Sequence, residues 1–468
     1  RAVVRRNGRT NEAVIITLLA GLLSVAGVLA VMPFFNQLAH ANLEPGELMN
    51  AVTLAEVAGL FITVGILSGI YPALALSGFQ PIRVLKGMVE TPGRSFNLRR
   101  VLVVIQFAVS ITLIIGTLVV YSQLDYLQSR SMGFDRDQLI MLPVSGTSIF
   151  QQYPTFKEQV EQLSNVKAVT NLSHDLGQKN LPYLPVIAEG KDEEQMVPLM
   201  YAGFDFLKTF GVEMSEGRFF DEAFASDSSL AFVVNESAAR TFGWQDPVGK
   251  KLKVGFRGSD STRVIGVIKD FNFDPLKLAI GPLVIQFSRA FGNVAIKMGS
   301  GNNRPVISEI ESIWQRTYPQ IPFTYYFLDE GLKATYAEEA RVGKIYSVCC
   351  LLALFIASLG LFALASFTIR RRLKEISVRK VLGASEPGIV FLIYRDFLLL
   401  ILISFAVATP VSVVIFSSWL AEFAYHISLQ PAYFITAVGA VIVVSWITLA
   451  FQLFRASRVN PAVILKSE

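Results

Sequence analysis

Two cysteines and three histidines in 468 residues leave little material for several chemistries. Cys349 and Cys350 are adjacent inside a long apolar run. They cannot staple a separate soluble domain, and they read there as small apolar residues. His40, His174 and His426 are scattered and offer no metal-ligand spacing. Ser173-His174-Asp175 is contiguous, which is not how a catalytic triad is built, so it reads as a polar loop. No G-x-x-x-x-G-K-[ST] phosphate loop occurs, so the chain is not expected to hydrolyse ATP itself. Charge is also scarce: 17% of residues are charged against 52% hydrophobic, and the mean hydropathy is +0.47. A soluble protein of this size would be more polar.

What is present is a set of uncharged runs. Six are long enough to cross about 30 Å of hydrocarbon as roughly 20 residues of helix. They are 13–39, 57–82, 101–124, 345–368, 397–421 and 427–454. Buried core helices seldom reach this length without a charge, and the first run is too long to be a secretion signal. Between the third and fourth runs lies a polar stretch, 125–340, of ordinary domain size. The expected fold class is therefore an α-helical membrane protein of six transmembrane helices with one α/β domain outside the bilayer. Short β-branched runs in that stretch (VKAVTNL, LAFVVN, RVIGVI, PLVIQF) predict strands. YPTFKEQVEQLSN and NRPVISEIESIWQRTY predict helices packed on them. Asp270, Asn235 and Asp246 read there as caps and turns.

Basic residues sort the connections. Arg1, Arg5, Arg6 and Arg9 precede the first run, and Arg83, Lys86, Arg94, Arg99 and Arg100 precede the third. Arg370, Arg371, Arg372, Lys374, Arg379 and Lys380 follow the fourth, and Arg455, Arg458 and Lys466 follow the sixth. These segments are assigned to the cytoplasm, and 125–340 with the two remaining loops to the outside. Residues 122–340 carry 21 basic and 27 acidic side chains, and the rest carry 21 and 10. A basic membrane-flanking face explains the overall positive charge, and no nucleic-acid partner is implied. Within the runs, Gln106, Ser110 and Thr112, with Gly59, Gly65 and Gly69, are expected as helix-packing positions. The lack of ionisable residues in mid-membrane argues against a proton-coupled pump.

Two motifs recur. QPIRVLKG (80–87) and NPAVILKS (460–467) each follow a helical hairpin, and RRNGRT (5–10) and KVLGAS (380–385) each precede one. Their order and near-equal spacing predict a duplicated unit, of which this chain is the C-terminal part. The organisation expected is a first permease unit over 1–87, a cytoplasmic linker over 88–100 and a transmembrane helix over 101–124. An extracytoplasmic domain over 125–340 and a second permease unit over 341–468 follow.

EISVRKVLGAS (375–385) is a short basic and apolar stretch between two apolar runs, with Gly383 to end a helix and Ser385 to begin the next. As an amphipathic helix it would either rest on lipid headgroups or dock in a groove of a cytoplasmic partner. The stretch resembles the cytoplasmic coupling segment of the MacB/FtsX-like ABC transporter permeases. NLRRVLVVIQFAVSITLIIGTLVVYSQLDYLQSRSMGFDRDQLI (97–140), GVEMSEGRFF (211–220), VVNESAARTFGWQDPVGKKL (233–252), VIGVIKDFNFDPLK (264–277) and NPAVILKSE (460–468) resemble further parts of the same family, in its order. The resemblance implies a multi-pass permease of the bacterial inner membrane with a MacB-like periplasmic core domain and no catalytic residues or cofactor of its own. ATP and Mg would be held by a separate MacB/LolD-type ATPase dimer. The docking segment would comprise Glu375, Val378, Arg379, Lys380, Gly383, Ala384 and Ser385, with Arg5, Arg6 and Gly8 as a second, divergent copy. Other implied partners are membrane lipid, a periplasmic adaptor or a second permease. Two functions stay open: export or extraction of peptide, antibiotic or lipophilic substrates, including lipoproteins, by mechanotransmission, and an FtsX-like scaffold that activates a cell-wall hydrolase. An enzyme finds no catalytic constellation.

Overall fold

The computed structural model describes residues 2–39, 42–48, 50–77, 94–144, 151–178, 181–255, 262–288 and 292–457. The chain divides into two units. One comprises Arg1–Tyr121, Glu339–Ser417 and Leu429–Glu468, and the other Ser122–Glu338 and Ser418–Ser428.

The first unit is helical. Its helices are α1 (Ala2–Ala39), α2 (Ala51–Ser77), α3 (Arg94–Ser129), which continues into the second unit, and α9 (Ala337–Val381), which begins in it. Two more follow, α10 (Glu386–Leu420) and α11 (Pro431–Ser457). Among the described residues, five helical stretches are long and apolar enough to cross a membrane, not the expected six. Helix α2 is 27 residues long, but its side chains are described only over Ala51–Gly65, which leaves it out of the five. The rest of the expected second run ends at 82, beyond the described residues. The small-residue reading holds unevenly. Gly65 lies 3.6 Å from Thr17 by its virtual Cβ, whereas Gly59 faces open space. Gln106 fits against Gly360, where any side chain would come within 2.4 Å of the Gln106 Oε1.

The second unit is built on one mixed sheet. Its strands are β1 (Leu139–Pro143), β2 (Val166–Leu172), β3 (Tyr183–Ala188), β4 (Gln195–Ala202), β5 (Met214–Gly217) and β6 (Ala231–Asn235). The remainder are β7 (Leu252–Val254), β8 (Arg263–Ile268), β9 (Val284–Phe287), β10 (Asn293–Met298) and β11 (Tyr326–Phe327). Their order is β11-β1-β10-β2-β4-β9-β6-β8-β5, with β3 bridging β4 and β7. Only the β4–β9 and β6–β8 pairs are parallel among the described pairings. Helices α4 (Tyr153–Glu161), α5 (Phe206–Phe210), α6 (Glu236–Phe242), α7 (Arg304–Thr317) and α8 (Leu328–Thr335) complete it.

Helix α7 shows why the layers meet. Ile307, Ile310, Ile313 and Trp314 recur at helical spacing and are buried against Ile140, Val294 and Ile296 of the sheet. A second core, under α6, gathers Phe232, Val234, Phe242, Val264 and Val284. Asn235, expected as a cap, accepts from the Ala238 N–H at 2.9 Å and opens α6. Asp270 is more than a turn residue. It accepts from Asn235, the Ser237 N–H and hydroxyl, and Arg240, at 2.5 to 2.9 Å, tying the end of β8 to the start of α6.

Candidate functional site

The stretch 375–385 is not a short separate helix. It is the C-terminal end of α9, which runs unbroken for 45 residues. No proline or exposed backbone break separates the apolar run from the charges of 370–380, so the intrahelical ladder simply continues across the change in polarity. Gly383 ends it. The Gly383 N–H donates to the Lys380 carbonyl at 3.1 Å and the Ala384 N–H to the Arg379 carbonyl at 3.0 Å. That is a Schellman closure, and Gly383 sits at φ +89°, where a Cβ is strained. Open space surrounds the position. Gly383→Ala is therefore expected to cost about 1–2 kcal/mol through the backbone alone. A thermal melt of the purified protein checks it, and Gly383→Asn should recover part of the loss.

Ser385 then caps α10, its Oγ accepting from the Gly388 N–H at 3.4 Å. Arg379 pairs with Glu375 at 2.9 Å and Lys380 with Glu386 at 3.7 Å, the second pair clamping the turn from its far side. The first pair is exposed and the second partly so, and surface pairs of this kind contribute little stability. Arg372 pairs with Asp396 at 2.8 Å and joins α9 to α10. The expected apolar face divides. Ile376 is buried in the bundle, whereas Val378, Val381 and Leu382 are exposed, Leu382 by 80%. The tip thus offers a small apolar patch ringed by Glu375, Arg379 and Lys380.

The first basic stretch differs. Arg5, Arg6 and Gly8 lie within α1, which is helical through Gly8. Their side chains fall outside the described residues, as do both copies of the proline-containing motif at 80–87 and 460–467.

Sequence reasoning missed one connection. Residues 418–428, the last residues of α10 and most of its connection to α11, belong to the outer unit. Gln123, fully buried in α3, donates to the Tyr425 carbonyl and accepts from the Ile427 N–H, both at 2.9 Å. The Arg130 guanidinium lies 4.1 Å from the Tyr425 ring centroid. The Ala424 N–H donates to the Lys277 carbonyl at 3.0 Å, and Lys277 pairs with Glu422 at 3.6 Å. The only hint in the sequence is the aromatic density of Trp419, Phe423 and Tyr425 in so short a loop. Helix α3 continues unbroken to Ser129, whereas the backbone leading into α9 breaks at Tyr336, between α8 and α9.

The Ser173-His174-Asp175 tripeptide forms no triad. His174 Nδ1 lies 2.9 Å from Ser173 Oγ, but Asp175 is engaged by Asn293, at 2.8 Å, and by the Tyr326 hydroxyl. Burial raises the Asp175 carboxyl above its ordinary value and lowers the His174 imidazole. Among the described residues no group of three or more His, Cys, Asp and Glu is placed to hold a metal ion.

Two family models match. The MacB-like periplasmic core domain covers residues 101–313, and the FtsX-like permease C-terminal covers 347–461. A macrolide export ATP-binding/permease protein MacB 2 of Aeromonas hydrophila is 25% identical over 203 residues, 40% of this chain and 30% of the relative. A MacB of Chromobacterium violaceum is 21% identical over 280 residues, 57% of this chain and 42% of the relative. The chain thus spans less than half the length of these relatives. An uncharacterized ABC transporter permease of Methanocaldococcus jannaschii is 21% identical, over 59% of this chain and 70% of the relative. Among solved structures, the periplasmic region of MacB from Actinobacillus actinomycetemcomitans matches 44% of this chain and 94% of its own at 15% identity, with a TM-score of 0.32. With a core domain and a permease domain matched in sequence order around a set of apolar helices, the chain belongs to the MacB/FtsX-like ABC transporter permeases.

Proposed function

We propose that the chain is a permease that couples ATP binding and hydrolysis in a separate cytoplasmic ATPase dimer to movement of its extracytoplasmic domain. The observation that carries this reading is α9. A single helix of 45 residues, about 68 Å at 1.5 Å per residue, runs from Ala337 to Val381 and carries the exposed Val378 and Val381 in its last turn. Displacing the tip when two ATPases close would tilt the helix as a rigid body. The loop 418–428 would transmit the same displacement through α10, because its backbone is held by Gln123. The substrate class this suits is a peptide, antibiotic or lipophilic molecule, lipoproteins included, moved from the outer leaflet or the periplasm.

The test is co-purification of the ATPase encoded beside the gene with the full-length permease in nanodiscs. Wild type should retain the ATPase and stimulate its turnover. Arg379→Glu with Lys380→Glu should lose both, because two reversed charges at a docking surface replace attraction by repulsion. Retention unchanged by the double reversal would reduce the segment to a headgroup-bound helix and remove the mechanical link.

A further inference from the structure

The seam between α3 and α10 holds an open apolar cavity of about 690 Å³. The two helices run parallel there. Ser404 Oγ donates to the Val104 carbonyl at 3.0 Å and Ser412 Oγ to Thr112 Oγ1 at 3.4 Å, which fixes their register. On the lipid-facing side, residues four apart on each helix form the rims: Ile105 and Val109 on one, Ile403 and Val407 on the other, each more than two-fifths exposed. Ala108 and Ala408 line the cavity between the rims, and their small side chains hollow the seam.

The cavity is closed in chemistry at one end only. Arg100 lines it where α3 leaves the cytoplasmic face, and from there to Leu113 every lining residue of α3 except Thr112 is apolar. That stretch is about 20 Å of helix, matching one leaflet of the bilayer with its headgroup layer, half of roughly 40–45 Å. A second transmembrane helix is a poor occupant. Close helix packing in a bilayer needs small residues at the rim, whereas here the rims are bulky and the small residues lie at the bottom. A flexible acyl chain fills such a channel, and a cation at its headgroup end favours a phosphate without a compensating ammonium. We propose that this seam is a binding site for one anionic phospholipid of the cytoplasmic leaflet. Its acyl chain lies between the rims, and its phosphate lies at Arg100.

The test uses full-length protein reconstituted with equal amounts of phosphatidylglycerol and phosphatidylethanolamine, extracted, stripped with excess detergent and weighed by native mass spectrometry. Wild type should retain one phospholipid, with phosphatidylglycerol favoured about fivefold, the factor one basic residue supplies at a headgroup surface. Arg100→Gln should keep a bound lipid and lose the preference. Ala108→Leu fills the floor and should abolish retention. Ile105→Trp, which enlarges an exposed rim residue without touching the core, should do the same if Ala108→Leu fails to fold. No retained lipid in wild type, a preference unchanged in Arg100→Gln, or retention unchanged in a folded filling variant overturns the assignment. So does an Ile105→Cys variant that cross-links to a second copy, which would make the seam a protein interface.

Discussion

Arg218→Ala is expected to destabilise the outer domain by about 3 kcal/mol. Asp227 is 1% exposed, and Arg218 holds both its oxygens, at 2.5 and 2.9 Å, while stacking over Phe224 at 4.0 Å. Removing the guanidinium leaves a buried carboxylate with only the Asp221 N–H among its described donors. Breaking a buried pair from one side costs about 3–5 kcal/mol; the lower end applies because Arg218 is 39% exposed and water screens part of the pair. For a domain of this size the shift in melting temperature is about 6–12 °C. Burial raises the Asp227 carboxyl, but the hydrogen bonds and charge of Arg218 outweigh it, and the net position is below the ordinary 3.8. A depressed carboxyl contributes stability above its unfolded value and loses it as pH falls through the folded one. The gap between wild type and variant should therefore be full at neutral pH and shrink below about pH 4. A melting temperature unchanged at pH 7 would show that solvent has replaced the arginine.

Gln123→Leu is expected to free the loop 418–428. The amide spans two backbone groups, and leucine satisfies neither, so the Tyr425 carbonyl and the Ile427 N–H lose their partner together. Stranding a partly buried polar group costs about 1–3 kcal/mol. Exchange of the Ile427 amide should accelerate by roughly 30-fold for each 2 kcal/mol lost. Hydrogen-exchange mass spectrometry of the peptide over 418–428 checks this, and peptides from the sheet serve as the unaffected reference. Under the proposed mechanism the same variant keeps its ATPase and shows weaker substrate-dependent turnover. An unchanged exchange rate would mean that Arg130 and Lys277 hold the loop without the amide.

Local pattern was readable where one residue type settles one element. RVIGVI and VKAVTNL became β8 and β2 at the expected bounds, because β-branched residues bounded by polar ones have few alternatives. Gly383 was legible as a helix end for the same reason. The sheet order was not. Strands β4 and β9 pair in parallel although they lie far apart in sequence, and neither carries a mark of the other. At the candidate site, polarity changes at Arg370 but the backbone does not, so composition marks a boundary before Glu375 that the helix lacks. The clamp on 418–428 was invisible, since a glutamine near a membrane end is compatible with many partners.

That clamp also orders biogenesis. Helix α10 and helix α11 are separated by residues 421–430 alone, so the pair enters the bilayer as a hairpin after everything N-terminal has left the ribosome. Gln123, Arg130 and Lys277 all precede the hairpin in sequence, so the loop is made after the residues that hold it. Seating the loop then follows insertion of the hairpin. Quality-control proteases would meet an unseated loop in any copy whose outer domain has failed to fold.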